Sequence, residues 1–298
     1  MQKPTTDKLG QMDHGRDSLI VTIASGKGGT GKTTVAVNLA LSLNHTYLFD
    51  CDVEEPNVHT LLHPRNVTSE EVTVLTPEVD HNLCTFCRKC SEFCQFNAIF
   101  VGKTNVLVYD KICHSCGGCA LICPESAIRE RARTVGSIKS SKVDDVSLVY
   151  GELNIGEPMA VPVIKAVKAH IVNNAINILD APPGTSCTVI ETVQESDYVV
   201  LVTEPTPFGL HDLMMTIDVV NRIGVPYGVV INRSTIGNDN TAKFLKEKRI
   251  PILMEIPFEK RIAKLYSRGI PFVKELTEYR EKLQEMMKSI QEIVNNDK

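Results

Sequence analysis

The sequence predicts an α/β fold in which a doubly wound, mainly parallel sheet carries a small inserted α+β domain. A short apolar run at 18–24 leads through a glycine-rich loop into a helical stretch at 35–43, and a second apolar run follows at 46–50. This strand–loop–helix–strand order begins a parallel βαβ unit. The same alternation returns after residue 150, and a cysteine-rich segment interrupts it in between.

The other elements of the predicted core lie in the second half of the chain. Short runs rich in Val, Ile and Leu are typical of parallel strands buried on both faces. They read NILD, YVVLVTE, YGVVINR and ILMEIP, at 177–180, 198–204, 227–233 and 252–257. Helices are expected around 185–195, 210–223, 240–248 and 275–294. We therefore expect helices on both faces of the sheet.

The last predicted helix has one apolar face. Its members recur at helical spacing and are Leu276, Tyr279, Leu283, Met286, Ile290 and Val294. Such a face can pack against a core or lie on a membrane. Because the polar face mixes Glu and Lys and is not strongly basic, core packing is favoured.

Composition and charge exclude several classes of function. A net charge of −4 provides no broad basic face, so no nucleic-acid partner is expected. No run approaches the roughly 18 apolar residues that a membrane span needs. Residues 1–17 are polar and lack the apolar stretch of a secretory signal. We expect a flexible tail at 1–17 and a cytoplasmic protein.

Ten cysteines in a chain without a secretory signal point to metal binding, because disulfides are rare in reducing compartments. Eight of them lie between Cys84 and Cys123. The segment 77–131 holds all eight, lacks long helical stretches and contains an internal duplication. We predict that 77–131 is an insert in a discontinuous domain formed by 18–76 and 132–298, since surface connections tolerate long insertions.

The glycine-rich loop fits the phosphate-binding pattern G-x-x-x-x-G-K-[ST] and lies between a predicted strand and a predicted helix. Backbone N–H groups of such a loop turn toward phosphate oxygens, and the helix N-terminus adds positive potential. Lys32 should reach the β- and γ-phosphates of ATP, and Thr33 should ligate Mg²⁺. The predicted nucleotide-binding residues of the loop are Gly26, Lys27, Gly28, Gly29, Thr30, Gly31, Lys32, Thr33 and Thr34.

Lys27, at the start of the loop, is a second lysine that the general pattern does not require. The loop KGGTGKT resembles the deviant Walker A motif of the MinD/ParA/Mrp ATPases, which include the nitrogenase iron protein. The resemblance extends over almost the whole chain from Ser18. It implies an ATP-dependent homodimer in which Lys27 crosses the interface to the partner's nucleotide.

The resemblance also assigns roles to residues at the ends of predicted strands. In FDCDVEEPN it implies a first switch, with Asp52 orienting or activating the attacking water and Asp50 nearer the metal. In ILDAPPGTS it implies a Walker B strand and second switch, with Asp180 holding Mg²⁺ through water and the Gly184 N–H sensing the γ-phosphate. In VINRS it implies an adenine-side strand end, with Asn232 reading the base and Arg233 beside it. The alternative for Asp52 and Asp180 is a carboxylate that caps a helix.

The cysteine segment contains two runs of the spacing C-x2-C-x2-C-x3-C. This is the bacterial ferredoxin spacing, in which three thiolates bind one [4Fe–4S] cluster and the fourth reaches the other. One predicted cluster has the ligands Cys84, Cys87, Cys90 and Cys123, and the other has Cys94, Cys113, Cys116 and Cys119. Two structural zinc sites are the alternative, but the duplication and the third and fourth cysteines favour iron–sulfur. The first run departs from the pattern because Gln95 stands where the second run has Pro124.

Cys51 and Cys187 lie outside the two runs. A cysteine at the position of Cys187 helps to bind an interfacial cluster in the nitrogenase iron protein, but the stretch 151–158 provides no second cysteine here. We expect Cys187 to be packed or incidental and Cys51 to be structural. His114 is expected on the surface or in packing, because the cysteine set is already complete.

Three functions remain open from the sequence. The first is an ATPase that couples a nucleotide-dependent dimer switch to electron transfer or to redox maturation of a partner protein. The second is an iron–sulfur cluster carrier or metallocentre-assembly ATPase, which needs a labile cluster. The third is a positioning ATPase like MinD with an iron–sulfur sensor domain. The completely ligated ferredoxin pattern favours the first.

Overall fold

Nine strands form one sheet at the centre of residues 18–296, the part of the chain that this computed structural model describes. The predicted tail at 1–17 lies outside the described residues. Together with a separate pair, β4 and β5, the described strands are β1 (Leu19–Ala24), β2 (Thr46–Asp50), β3 (Thr68–Val79), β4 (Ile99–Val101), β5 (Val106–Val108), β6 (Ile128–Val143), β7 (Val146–Leu153), β8 (Ile176–Asp180), β9 (Tyr198–Thr203), β10 (Tyr227–Asn232) and β11 (Ile252–Ile256). The sheet order is β11-β10-β9-β1-β8-β2-β7-β6-β3, and β4 pairs with β5 apart from it.

Helices connect the strands and cover both faces of the sheet. They are α1 (Lys32–Ser42), α2 (Val58–Leu62), α3 (Lys89–Phe93), α4 (Gly118–Ile122), α5 (Val161–Lys168), α6 (Cys187–Val193), α7 (Pro207–Ile223), α8 (Asn240–Glu247), α9 (Lys260–Tyr266) and α10 (Thr277–Asn296). Short 3₁₀ turns occupy Asp110–Ile112 and Phe272–Lys274. One core lies between the sheet and α1 and α10. The opposite face is covered by α5, α6, α7 and α8.

The predicted fold class is confirmed. The seven strands from β11 to β7 pair in parallel, and the six strands predicted from apolar runs are all among them. Residues of β1 and β9 are buried along their whole length, as expected for strands covered on both faces. The carboxyl ends of β1, β2 and β8 lie side by side, and they position the predicted switches around the glycine-rich loop.

A long antiparallel ribbon, absent from the sequence prediction, joins the sheet to the cysteine segment. Strand β3 pairs with β6 from Thr68↔Ser140 to Val79↔Ile128, and β6 also pairs antiparallel with β7. The cysteine segment 80–127 continues from the far end of this ribbon. Since the predicted boundaries at 77 and 131 fall inside the paired ribbon, the domain division there stays a prediction.

The last helix packs on the core. All six residues of its predicted apolar face are buried. Arg280 and Gln284 donate hydrogen bonds to the carbonyl oxygens of Leu41 and Ser42 at the end of α1, each at 2.7 Å. The apolar face of α10 is therefore covered by its own chain, as predicted.

None of the helices between residues 18 and 296 combines the length and the apolar character that crossing a bilayer requires.

Candidate functional site

The glycine-rich loop turns tightly between β1 and α1. Gly29 and Gly31 adopt positive φ angles of 81° and 93°, which side chains rarely allow. A Cβ at Gly31 would approach the Nδ2 atom of Asn232 to 2.2 Å. The loop therefore needs glycine at Gly31 for its backbone angle and for the close approach of Asn232.

Lys32 and Thr33 both bind Asp180, which ends β8. The Lys32 ammonium donates a hydrogen bond to Asp180 Oδ1 at 2.8 Å, and the Thr33 hydroxyl donates one to Oδ2 at 2.6 Å. Burial lowers the pKa of Lys32, but Asp180 and the nearby Asp50 and Asp52 raise it more, so the net shift is upward. The lysine is charged and lies near three carboxyl groups. In P-loop sites such a lysine binds phosphate, and a Ser/Thr hydroxyl and an Asp hold Mg²⁺.

Asp50 ends β2 and is completely buried. Its Oδ1 accepts the backbone N–H of Asp52 at 3.1 Å, and its Oδ2 accepts those of Asn57 and Val58 at 2.9 and 3.0 Å. Burial and the neighbouring Asp180 raise the pKa of Asp50 to about 7. Asp50 thus shapes the predicted first switch through its backbone, and its expected place near the metal stays a prediction.

Asp52 lies at the edge of the cleft beside the loop and is 8% exposed. Burial is the main cause that raises the pKa of Asp52, to about 6, and Lys32 opposes that shift. The Asp52 carbonyl oxygen accepts the N–H of Glu55 at 3.1 Å. A carboxyl group with a pKa close to neutral can accept a proton from water near physiological pH.

A backbone hydrogen bond joins the predicted second switch to the start of the glycine-rich loop. The Gly184 N–H donates to the Ser25 carbonyl oxygen at 2.9 Å, and Gly184 has a φ of 98°. This N–H must leave Ser25 before it can bind a γ-phosphate. Lys27 is half-buried and forms no ion pair with any residue between 18 and 296.

A cleft of about 450 Å³ is lined by residues of the loop and of α9. The apolar part of its lining includes Ile256, Pro257, Phe258, Ile262 and Tyr266. Lys32 lines the same cleft, so apolar surface for a base and a cation for phosphates occur in one cleft. These apolar residues were not predicted as a site: Ile256 and Pro257 end the last predicted strand, and the other three follow it.

Asn232 ends β10, Arg233 follows it, and both residues line the cleft. The Asn232 amide donates to the Thr30 carbonyl oxygen at 2.7 Å, and its Oδ1 accepts the Arg233 N–H at 2.9 Å. The Arg233 guanidinium donates to Glu204 Oε1 at 2.6 Å. Asn232 therefore anchors the glycine-rich loop here, and its role in reading a base stays a prediction.

The eight clustered cysteines line two separate cavities in segment 80–127. The lining of the first includes Cys84, Cys87, Cys90 and Cys123. The lining of the second includes Cys94, Cys113, Cys116 and Cys119. Each predicted set of four thus surrounds its own cavity, with one cysteine coming from the other run.

The surroundings of both cavities suit thiolate-bound clusters. The Ala98 N–H donates to Cys94 Sγ and the Ala127 N–H to Cys123 Sγ, both at 3.3 Å, which stabilises negative charge on sulfur. Burial raises the pKa of Cys90, Cys113 and Cys119, so a bound metal must displace their protons. In residues 18–296 no three His, Cys, Asp or Glu side chains are placed to hold one metal ion. The donor set matches two [4Fe–4S] clusters in number and type, since each cavity has four cysteine thiols in its lining and a cluster would be held by four thiolates.

The remaining cysteines and His114 differ in their environments. Cys51 is fully buried in the core beside α5, as expected for a structural residue. Cys187 begins α6 and is exposed, so the expectation of a packed thiol is wrong and an incidental one remains. His114 stacks on Phe96 with ring centroids 3.6 Å apart, which agrees with a packing role.

The loop, the strand-end carboxylates and the cleft define a P-loop nucleotide-binding protein. The family described as the CobQ/CobB/MinD/ParA nucleotide binding domain matches residues 21–272. The chain belongs to this family.

Relatives and a solved structure agree with that assignment. An uncharacterized protein of Methanocaldococcus jannaschii is 31% identical over 87% of this chain and 93% of its own length. An iron-sulfur cluster carrier protein of the same organism is 24% identical over 93% of this chain and 86% of its own. The septum site-determining protein MinD of Pyrococcus horikoshii, solved with Mg-ADP, is 20% identical with a TM-score of 0.54 over 93% of this chain and 96% of that one. That likeness establishes a shared fold.

Proposed function

We propose that this protein hydrolyses ATP and uses the resulting dimer switch to control two [4Fe–4S] clusters that serve a partner protein. The observation that carries the proposal is that two four-cysteine cavities occur in one chain with a complete P-loop site. When bound, such clusters supply one-electron transfer. Segment 80–127 then acts as a ferredoxin-like insert in a discontinuous ATPase domain.

Hydrolysis in this proposal is a matter of positioning and charge stabilisation. Lys32 binds the phosphates, Thr33 and Asp180 hold Mg²⁺, and Asp52 orients the attacking water. Because Lys32 and Thr33 bind Asp180 directly here, ATP with Mg²⁺ must replace those hydrogen bonds. Gly184 leaves Ser25 and donates its N–H to the γ-phosphate.

Dimerisation in this proposal depends on Lys27. Its side chain has no partner among the described residues, and it borders the open cleft. A second chain placed across the cleft would receive this charge at its own nucleotide. Such a dimer forms with ATP and separates after hydrolysis. The clusters would therefore belong to a dimer with ATP bound and to a monomer after hydrolysis.

A cluster carrier is the second candidate, because the similar Methanocaldococcus jannaschii protein is described as an iron-sulfur cluster carrier. A carrier must release its cluster, and four protein thiolates around each cavity oppose release. Electron transfer to a partner, or redox maturation of one, therefore remains the preferred function. An apo-ferredoxin acceptor separates the candidates, since only a carrier loses iron to it when ATP is added.

Anaerobic reconstitution of the full chain tests the proposed function. We expect about eight iron and eight sulfide per chain, as two [4Fe–4S] clusters require. We also expect Mg-dependent ATP hydrolysis by the same preparation. Two zinc ions in place of iron, or no ATP hydrolysis by folded protein, would contradict the proposal.

A further inference from the structure

The loop 154–158, which follows β7, lies between the nucleotide site and the cysteine segment. We infer that this loop, called the strut below, transmits the nucleotide state to the thiol cage of Cys94, Cys113, Cys116 and Cys119 and leaves the other cage unaffected. The inference rests on the proposed function and adds the route and its selectivity for one cage.

The strut begins at the first switch. Val53 directly follows Asp52 and is buried, and its carbonyl oxygen accepts the Leu153 N–H at 2.8 Å. Gly151 also packs against Val53, because a Cβ there would meet Val53 Cγ1 at 2.6 Å. Any movement of the switch that carries Asp52 therefore acts on the end of β7.

The strut is next fixed to the β3–β6 ribbon. The Asn154 backbone N–H donates to the Val135 carbonyl oxygen at 2.9 Å, and the Asn154 side-chain amide donates to the Thr134 carbonyl oxygen at 3.2 Å. Glu157 binds the Arg133 guanidinium with both oxygens, one of them 3.2 Å from Nη2. The side chains of Arg133 and Glu157 are only 15% and 4% exposed, so this pair is well screened from water. Buried two-point pairs hold their geometry better than exposed ones.

The last contact reaches the cage itself. Lys111 Nζ donates to the Gly156 carbonyl oxygen at 3.0 Å, and Lys111 is two residues before Cys113. Asp110, in the same 3₁₀ turn, pairs with Arg131 of the ribbon. The strut and the ribbon thus both hold the turn that positions Cys113.

The cage of Cys84, Cys87, Cys90 and Cys123, called the first cage, has no matching contact. Between residues 18 and 296, the Lys111–Gly156 bond is the single hydrogen bond from segment 80–127 to the ATPase body outside the ribbon. Residues that line the first cavity make none. Coupling between sites needs an element whose state both sites bias. The strut contacts Val53, next to Asp52, at one end and the turn before Cys113 at the other, and among the described residues it makes no hydrogen bond to the other cage.

Hydrogen exchange on the reconstituted full chain tests this inference, with Mg-ADP compared with a non-hydrolysable ATP analogue. We expect the analogue to change exchange in the first switch, 50–58, and in 110–119, but not in 84–92. Lys111→Met and Glu157→Gln should abolish the response at 110–119 and preserve that at 50–58. Lys103→Met is the matched control: Lys103 is exposed in the same segment, lines neither cavity, and should preserve both responses.

The outcomes separate the inference from the proposed function. A response at 110–119 that survives both Lys111→Met and Glu157→Gln overturns the strut. A wild-type response at 50–58 without one at 110–119 also overturns it, while nucleotide binding and the clusters stand. Equal responses in both cages overturn the selectivity. Absence of iron, or no response at 50–58, overturns the proposed function and the strut with it.

Discussion

The ammonium of Lys32 and the carboxylate of Asp180 meet at 2.8 Å, and their side chains are 7% and 0% exposed. The lysine that should bind phosphate thus neutralises the carboxylate that should bind Mg²⁺. If ATP and Mg²⁺ enter together, Lys32 would pair with a phosphate and Asp180 with Mg²⁺. Each buried charge would then keep an opposite charge beside it. Either ligand alone would leave a charge without its partner.

Lys32→Ala should lower ATP turnover at least about 100-fold, because it removes the buried charge that faces the transferred phosphoryl group. The iron content of the reconstituted protein should not change, since Lys32 is remote from both thiol cages. Steady-state phosphate release and an iron assay measure the two effects. Lys246→Ala, on the exposed face of α8, is the control and should alter neither. Loss of iron in Lys32→Ala would show that the two sites are not separable.

Lys27→Ala should preserve ATP binding and slow hydrolysis at least about tenfold, because a charge supplied by the second chain acts mainly in the transition state. Mixing this variant with Lys32→Ala gives a sharper test. In a mixed dimer, the site that retains Lys32 receives Lys27 from the other chain, so activity should recover. No recovery on mixing would mean that Lys27 acts within its own chain.

The nucleotide-free protein should lose stability as the pH rises through about 6. Burial raises the pKa of Asp52 to about 6 from its usual 3.8, so the folded protein keeps this proton to a higher pH than the unfolded chain does. The protonated form therefore favours folding, and that contribution is lost between about pH 4 and 6. Asp52→Asn should reduce the fall in unfolding free energy over this range. Urea denaturation at several pH values measures it. Asp145→Asn, at an exposed turn, should leave the pH dependence as it is, and an identical pH dependence in Asp52→Asn would refute the assignment.

Cys90→Ser should remove about four of about eight iron atoms, because it deletes one thiolate from the first cage only. ATP hydrolysis without a partner should persist. Cys187→Ser is the matched control, since Cys187 is exposed and lies outside both cavities. Equal iron loss in the two variants would argue against the assignment of the cages.

The sequence predicted those parts of the fold in which local pattern and burial agree. The strands β1, β8 and β9 are mainly apolar, so their runs were visible without tertiary information. The ribbon was missed because β3 and β6 are largely exposed and carry many polar residues, which removes the apolar signal. The spacing of the cysteines, by contrast, assigned each thiol to the cavity that it lines.

The site was predicted where a motif fixes the chemistry and missed where distant segments meet. The contact between Asp180 and Lys32 joins two motifs, so both residues were identified. The contact between Lys111 and Gly156 joins residues without a motif, and it depends on how the insert lies on the ATPase body. The hydrogen bond from Asn232 to the Thr30 carbonyl oxygen was also visible only in the structure, because the sequence of a strand end does not show which residue it contacts.

An anaerobic redox titration of the reconstituted protein, monitored by EPR, tests the coupling most directly. The titration is made with Mg-ADP and repeated with a non-hydrolysable ATP analogue. We predict that one of two cluster midpoints shifts by about 59 mV, which corresponds to a tenfold change in its one-electron equilibrium. Two intact clusters with the same midpoints under both nucleotides would contradict the account.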